Sequence, residues 1–381
     1  MAAYLYLPIF FKLQATSAYE YLEKRFGKTA RLAASLSYTF QMALYNGIVL
    51  YAPALALEAL TGISRLAAIL SVGLVCTFYS TVGGMKAVLM TDVFQSLLMF
   101  VAVFSIIIFA IIDKGSITEI WRIAAEGNRT GLLNFDPDPT VRHSWFSLII
   151  GGGITFLSLY GVNQTQVQRY LTVKDLKTAQ KALWLNWPIL TALSLSTSFS
   201  GLAIYSRFFK CDPYDAGDIT SFDQLMPYYV VDTMGDTPGL SGLFVAGIFS
   251  ASLSTISAAV NSLAAITVED YYKPAFKAIY KRPLPEKTIA LQTKLIALSF
   301  GFIFIGIAFL AQFLGGGSSG LFDHLWRHWG SIGSVTGLVS GIIFALWMAF
   351  GNKPTPETLP RSTEGCATPM NATDVTTSNN G

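Results

Sequence analysis

The chain has 381 residues, of which 52% are hydrophobic and 13% charged, and its formal net charge is +3. A soluble domain averages about 25% charged residues, so half that density excludes a chain that lives mainly in water. A net charge of +3 says little about partners, and no nucleic-acid partner is expected; the cysteines and histidines show no metal-ligand spacing beyond His324 and His328, which are four apart.

The first segment, AAYLYLPIFFKLQ, is too short to cross a bilayer core, which takes roughly 20 residues. No basic stretch precedes it, so it reads as the inner end of a helix rather than a signal peptide. Uncharged apolar runs follow at 32–57, 66–82, 93–112, 145–160, 182–205, 240–268, 289–314 and 335–350. Most are long enough to span. The expected fold is an all-α polytopic membrane protein, with a single transmembrane domain over 1–351 and a polar tail over 352–381.

Lysine and arginine mark the inner side of a membrane. They concentrate in 12–31, 169–181 and 269–287, whereas 207–239 carries two basic residues against six aspartates. The first three segments are therefore expected inside, and the loops 113–142 and 207–239 outside. The sequon at Asn128 falls in an outside loop and is a candidate for glycosylation, as is Asn371 in the tail; the one at Asn163 sits at an inner helix end and reads as a chance match. Run 289–314 ends outside. The stretch 315–334 is glycine-rich and polar and cannot cross, so a break is expected there. Either a helix is absent before 335–350, or the tail with Cys366 lies inside. Gly333, Gly337 and Gly341 read as a packing stripe, and Cys76 as a core residue.

Run 240–268 is dense in hydroxyls. At about 100° per residue, Gly247, Ala251, Ser254, Thr255, Ala258 and Ser262 share one face. Two readings fit. Small residues let membrane helices approach, and hydroxyls bond to the carbonyl one turn back. Alternatively, two adjacent hydroxyls and a carbonyl freed by crowding supply neutral oxygens to a cation, completed by carbonyls of a broken helix. The run 145–160, interrupted by Gly151-Gly152-Gly153, is the candidate broken helix.

GGMKAVLMTDVFQ (83–95), YGVNQTQVQRYL (160–171), DQLMPYYVVD (223–232) and SASLSTISAAVNSLAAITVED (250–270) resemble the solute:sodium symporter family. IVLYAPALALEALTG and CTFYSTVGG make the chain most similar to the branch of sodium-coupled monocarboxylate, multivitamin and iodide carriers. The resemblance covers nearly all of 1–314 and resumes around 335–366. It implies part of a five-plus-five inverted-repeat core, from the end of core helix two to core helix nine, with one helix after the core. It also implies a sodium site using the Ala251 carbonyl, Ser254 and Thr255, with sodium as coupling ion and no other cofactor. Asp92, an acid at the start of an apolar run where a helix N-terminus would also stabilise it, is implied near the inner sodium exit. Tyr160 reads either as an inner gate or as a core tyrosine with a satisfied hydroxyl, and Leu159-Tyr160, where the sugar-carrying branch has an aromatic pair, argues against a sugar substrate. Cys211 and Cys366 would both lie outside and could pair.

The expected function is sodium-coupled symport of a small organic or inorganic anion, monocarboxylate-like, across the plasma membrane, with membrane lipid as surroundings. The alternative is a truncated, transport-inactive relative that associates with a full-length partner. A channel would need a filter or pore-lining ring, and none is evident. An enzyme is not expected, since no nucleophile–base pair stands out.

Overall fold

Helix is the only regular structure among the described residues of the computed structural model, which are 1–13, 16–131, 135–136, 144–145, 147–219, 221–235, 237–313, 361–363 and 365–366. A bilayer core offers the backbone no water, so helices that satisfy their own N–H and C=O groups are the expected solution. In chain order they are α1 (Ala2–Leu13), α2 (Glu20–Phe26), α3 (Lys28–Thr61), α4 (Arg65–Lys114) and α5 (Ile117–Glu126). A π-helical turn, Ser147–Gly151, leads into α6 (Gly152–Gly161), followed by α7 (Gln164–Tyr170), α8 (Leu176–Arg207) and α9 (Pro213–Ala216). Then come α10 (Leu225–Met234), α11 (Leu240–Ile266), α12 (Lys273–Tyr280) and α13 (Glu286–Phe313).

Helix α4 has 50 residues. At 1.5 Å per residue that is roughly 75 Å, more than twice a bilayer core of about 30 Å. It reverses at Gly84, whose φ of 59° and ψ of −162° suit a residue without a Cβ. The contacts require the reversal. Tyr79, before the glycine, donates its hydroxyl to Leu253 O of α11 at 3.0 Å. Asp92, after it, meets Ser254 on the next residue of α11. The turn expected over 83–91 is thus condensed into one glycine. As a result Asp92 lies about two helical turns into the returning limb, and the expected helix-start position for it is incorrect.

The core is centred on α11, which packs against α3, α4 and α13 through Leu50, Ile69, Cys76, Ile256, Val260, Leu263 and Phe304. Glycines permit the close approach. A Cβ on Gly47 would collide with Ile307, one on Gly301 with Thr77, and one on Gly247 with Ala102.

The connections sort to two ends. At one, Arg207 pairs with Asp113 and Asp232 at 3.1 and 3.0 Å, and a disulfide joins Cys211 to Cys366. Asp212 N donates to Ser362 O at 3.0 Å beside it. At the other gather the segment before α2, the start of α3, the start of α7 and the turn after α11. This is the grouping that lysine and arginine indicate. It also ties residues 361–366 to the end that carries 207–219, the side expected to be outside. The stretch 315–334, run 335–350, His324, His328, the glycines from Gly333 to Gly341, and Asn371 lie outside the described residues.

Candidate functional site

Three polar side chains of α11 turn back on their own helix. Thr255 Oγ1 donates to Ala251 O at 3.0 Å, Ser257 Oγ to Ser254 O at 3.1 Å and Asn261 Nδ2 to Ser257 O at 2.9 Å. These bonds satisfy hydroxyls and amides away from water. Ser254 differs. Its Oγ donates to Asp92 Oδ1 of α4 at 2.5 Å, and Asp92 Oδ2 accepts from Arg169 Nη2 of α7 at 2.6 Å. A carboxylate at membrane depth requires a partner, and Arg169 supplies it.

Ser254, Thr255 and Ala258 form one wall of a cavity of about 500 Å³. The other walls come from Tyr38, Gln41 and Tyr45 of α3, Thr155, Ser158 and Tyr160 of α6, and Asn163 and Arg169. With their protons committed to Asp92 and to Ala251 O, the Ser254 and Thr255 hydroxyls meet the cavity as acceptors. Neutral oxygens of this kind are ligands for a hard cation. The Ala251 carbonyl, expected to be freed by crowding, instead accepts the Thr255 hydroxyl, and Ala251 itself sits one turn away from the cavity wall.

The helix break that lines this cavity is not at the glycine run. At Gly151 a π-helical turn hands over to α6 and the helix continues. The chain breaks after Gly161. Val162 takes φ −132°, and Asn163 Oδ1 caps α7 by accepting from Thr165 N at 2.9 Å. The Tyr38 hydroxyl reaches across from α3 to Asn163 Oδ1 at 3.2 Å and Thr165 Oγ1 at 2.8 Å. Asn163 is therefore a buried-side cap rather than a loop residue. Tyr160 stands on the cavity wall just before the break.

Below the cavity, an ion-pair network centred on one carboxylate ties four segments. Asp270, whose side chain is fully buried, accepts from Arg31 Nη2 at 2.5 Å and Nε at 3.0 Å, and from Ser17 Oγ at 3.1 Å. Arg31 also pairs with Glu23 at 2.5 Å. Gln164, buried at the start of α7, holds the same segment through Ala18 N at 2.6 Å and Thr16 O at 2.9 Å. Tyr19, the next residue, lines the cavity. Burial, then Tyr38 and Asp270, raise its phenol well above the ordinary pKa, so it stays a neutral hydroxyl. At the far end of the molecule, Asn128 is exposed in the turn after α5, remote from this cavity.

The description "Sodium:solute symporter family" matches residues 1–349. The chain belongs to this family. Among its relatives, a putative sodium-dependent multivitamin transporter of Drosophila melanogaster is 52% identical, over 96% of this chain and 63% of that protein. Sodium-coupled monocarboxylate transporter 1 of Homo sapiens is 42% identical, over 99% of this chain and 65% of its own length. The sodium/iodide cotransporter of Homo sapiens is 36% identical, over 96% and 60%. The chain spans less than two thirds of the length of these relatives. A solved sodium-coupled sialic acid symporter, in a substrate-bound outward-open state described as revealing a novel sodium site, superimposes with a TM-score of 0.75 at 26% identity, covering 92% of this chain and 75% of that one. The all-α fold is thus that of a sodium-coupled symporter.

Reading the sequence of this sodium:solute symporter chain did not single out Arg169, Arg31, Asp270, Ser17 or Gln164. Arg31 and Arg169 registered only as inner-side markers. A usable signal was present: Asp270 follows directly on the hydroxyl-rich run, and Arg169 ends a short polar helix that opens on a capping asparagine.

Proposed function

We propose that the chain carries the working core of a plasma-membrane symporter that couples sodium entry to the movement of a small anion. The observation that carries this reading is the Ser254–Thr255 pair on the cavity wall, with both protons turned away. Sodium binds neutral oxygens without needing a carboxylate in direct contact, which leaves it free to depart. The Ala251 carbonyl, one turn back and held by the Thr255 hydroxyl, would join this ligand set only if that bond opens. Asp92 acts from behind Ser254: it fixes the direction of the hydroxyl proton, and its pairing with Arg169 has to yield before it can receive a departing sodium. Tyr160, at the inner edge of the cavity, is the gate residue.

The anion shares the cavity. Its walls present the Gln41 and Asn163 side-chain amides and the Ser158 hydroxyl, groups that donate hydrogen bonds to a carboxylate or a halide. The relatives named for vitamins, monocarboxylates and iodide agree with a small anionic solute, organic or inorganic. Coupling follows from linkage: if sodium and solute favour the same conformation, each raises the affinity of that state for the other. Asn128 and Asn371 are the proposed glycan acceptors.

The test is uptake of biotin, pantothenate, lactate and iodide by the purified chain in liposomes, with an inward sodium gradient. Uptake that collapses when potassium replaces sodium, and that weakens in sodium dependence with Ser254→Ala plus Thr255→Ala, is the expected result. A folded chain with no sodium-dependent uptake of any of the four would remove the reading for this chain. Unchanged sodium dependence in the double variant would remove the site assignment alone.

A further inference from the structure

At the end expected to be inside, a second cavity of about 490 Å³ opens between the last turn of α1 and helix α2. It is separate from the sodium and solute cavity. Lys12, Lys24 and Arg25 line it, together with Ile9, Leu13 and Tyr21. Its volume falls within the range of about 300–1,000 Å³ usual for small-ligand pockets.

The charges there are poorly matched. Helix α2 reads EYLEKRF, with acids at 20 and 23 and bases at 24 and 25. Glu23 turns inward to Arg31 at 2.5 Å and is committed to the ion-pair network. Glu20 remains at 3.4 Å from Lys24. Arg25 is steadied by a neutral group, its Nη1 donating to the Tyr21 hydroxyl at 2.8 Å. Among the described residues, neither Lys12 nor Arg25 has a carboxylate partner. Three cations around one groove, with one carboxylate at its rim, repel each other until an anion enters.

The groove is also two-sided. Its apolar wall, Ile9 and Leu13, continues onto Leu5, which is exposed on α1. In a membrane chain such a surface faces acyl chains. Phe26 is exposed at the end of α2, beneath the Arg25 guanidinium at 5.2 Å. Basic pockets in this position beside membrane helices suit lipid phosphates.

We propose that this groove binds the headgroup of a polyanionic inner-leaflet phospholipid of the phosphorylated-inositol class. Its phosphates sit against Lys12, Lys24 and Arg25, and its acyl chains run along Leu5 and Ile9. With Glu20 beside Lys24, a headgroup of single net charge, such as phosphatidylserine, would leave one of the cations unmatched. The site is read without reference to transport, so it stands or falls separately from the symport reading.

The test is native mass spectrometry of the full chain released from detergent, with phosphatidylinositol bisphosphate added and neither sodium nor solute present. One retained lipid is expected, and Lys12→Gln with Arg25→Gln should weaken its apparent affinity about tenfold or more. The charge-preserving Lys12→Arg with Lys24→Arg should keep binding, which separates lost charge from a damaged fold. Lys277→Gln with Lys281→Gln, on the same end but away from the groove, should leave binding unchanged. Equal retention by the Lys12/Arg25 variant would overturn the proposal, as would equal retention of phosphatidylserine. Displacement by soluble inositol trisphosphate or by inorganic phosphate at matched concentration would overturn the lipid assignment in favour of a free headgroup.

Discussion

Ser254 gives its proton to Asp92, and Arg169 holds the other oxygen of that carboxylate. Replacing the carboxylate with an amide, Asp92→Asn, strands the arginine and lets the serine hydroxyl rotate. The expected cost is about 2 kcal/mol of stability, read as a lower unfolding temperature in detergent. Uptake should also need more sodium for half-saturation. Ser254→Ala plus Thr255→Ala leaves the Asp92–Arg169 pair in place but removes the serine's bond to the carboxylate, so it should cost about 1.5 kcal/mol of stability while raising half-saturating sodium about tenfold. At this scale much was legible. Two adjacent hydroxyls on a small-residue face and an acid in an apolar run are visible in a string of letters. The pairing of Arg169 was not, because its partner is 77 positions away and only the folded chain brings them together.

Among the elements, the four-way junction at Asp270 governs whether the segment before α2 stays against α7 and α11. Asp270→Asn leaves Arg31 without its buried counter-charge, and removing one partner of such a pair costs about 3 kcal/mol or more. Amide exchange over residues 16–19 and at the start of α7 should speed up with it, measured by hydrogen–deuterium exchange. Unchanged protection there would show that the junction does not hold the segment. Close packing makes a second prediction. Gly247→Leu forces a side chain into Ala102 of α4, and overpacking of this kind costs about 1–3 kcal/mol. Helix extents were legible from runs of uncharged residues. Helix breaks were less so: the glycine run at 151–153 stays helical, whereas the break falls at Val162, where a capping asparagine restarts the chain. A triple glycine permits a break, but it takes a competing hydrogen-bond partner such as the Asn163 side chain to impose one.

For the whole molecule, the two-ended sorting of connections predicts a common side for Asn128 and the Cys211–Cys366 pair. In a eukaryotic membrane preparation, Asn128→Gln should remove a glycan, seen as a faster-migrating band. A membrane-impermeant thiol reagent applied to intact cells after reduction should label Cys211→Ser through the freed Cys366. Protection of that thiol in intact cells, with labelling only after permeabilisation, would invert the orientation. The alternation of basic and acidic segments was enough to anticipate this sorting, since it depends on charge density rather than on contacts. The placement of residues 361–363 and 365–366 was open on charge alone, because nothing local distinguishes a polar tail on one side from one on the other; only the family resemblance put Cys366 beside Cys211.

The same disulfide has a mechanical meaning. It joins positions 155 residues apart, and the stretch it encloses contains α10, α11, α12 and α13. A pull applied beyond Cys366 is therefore carried to the outer end of α8, and the enclosed helices bear none of it. With a handle on the tail of a single bilayer-embedded molecule, the force–extension trace should lack roughly 500 Å of contour length that appears once reductant is added. The helix that carries the hydroxyl pair is thereby shielded from any load on the tail.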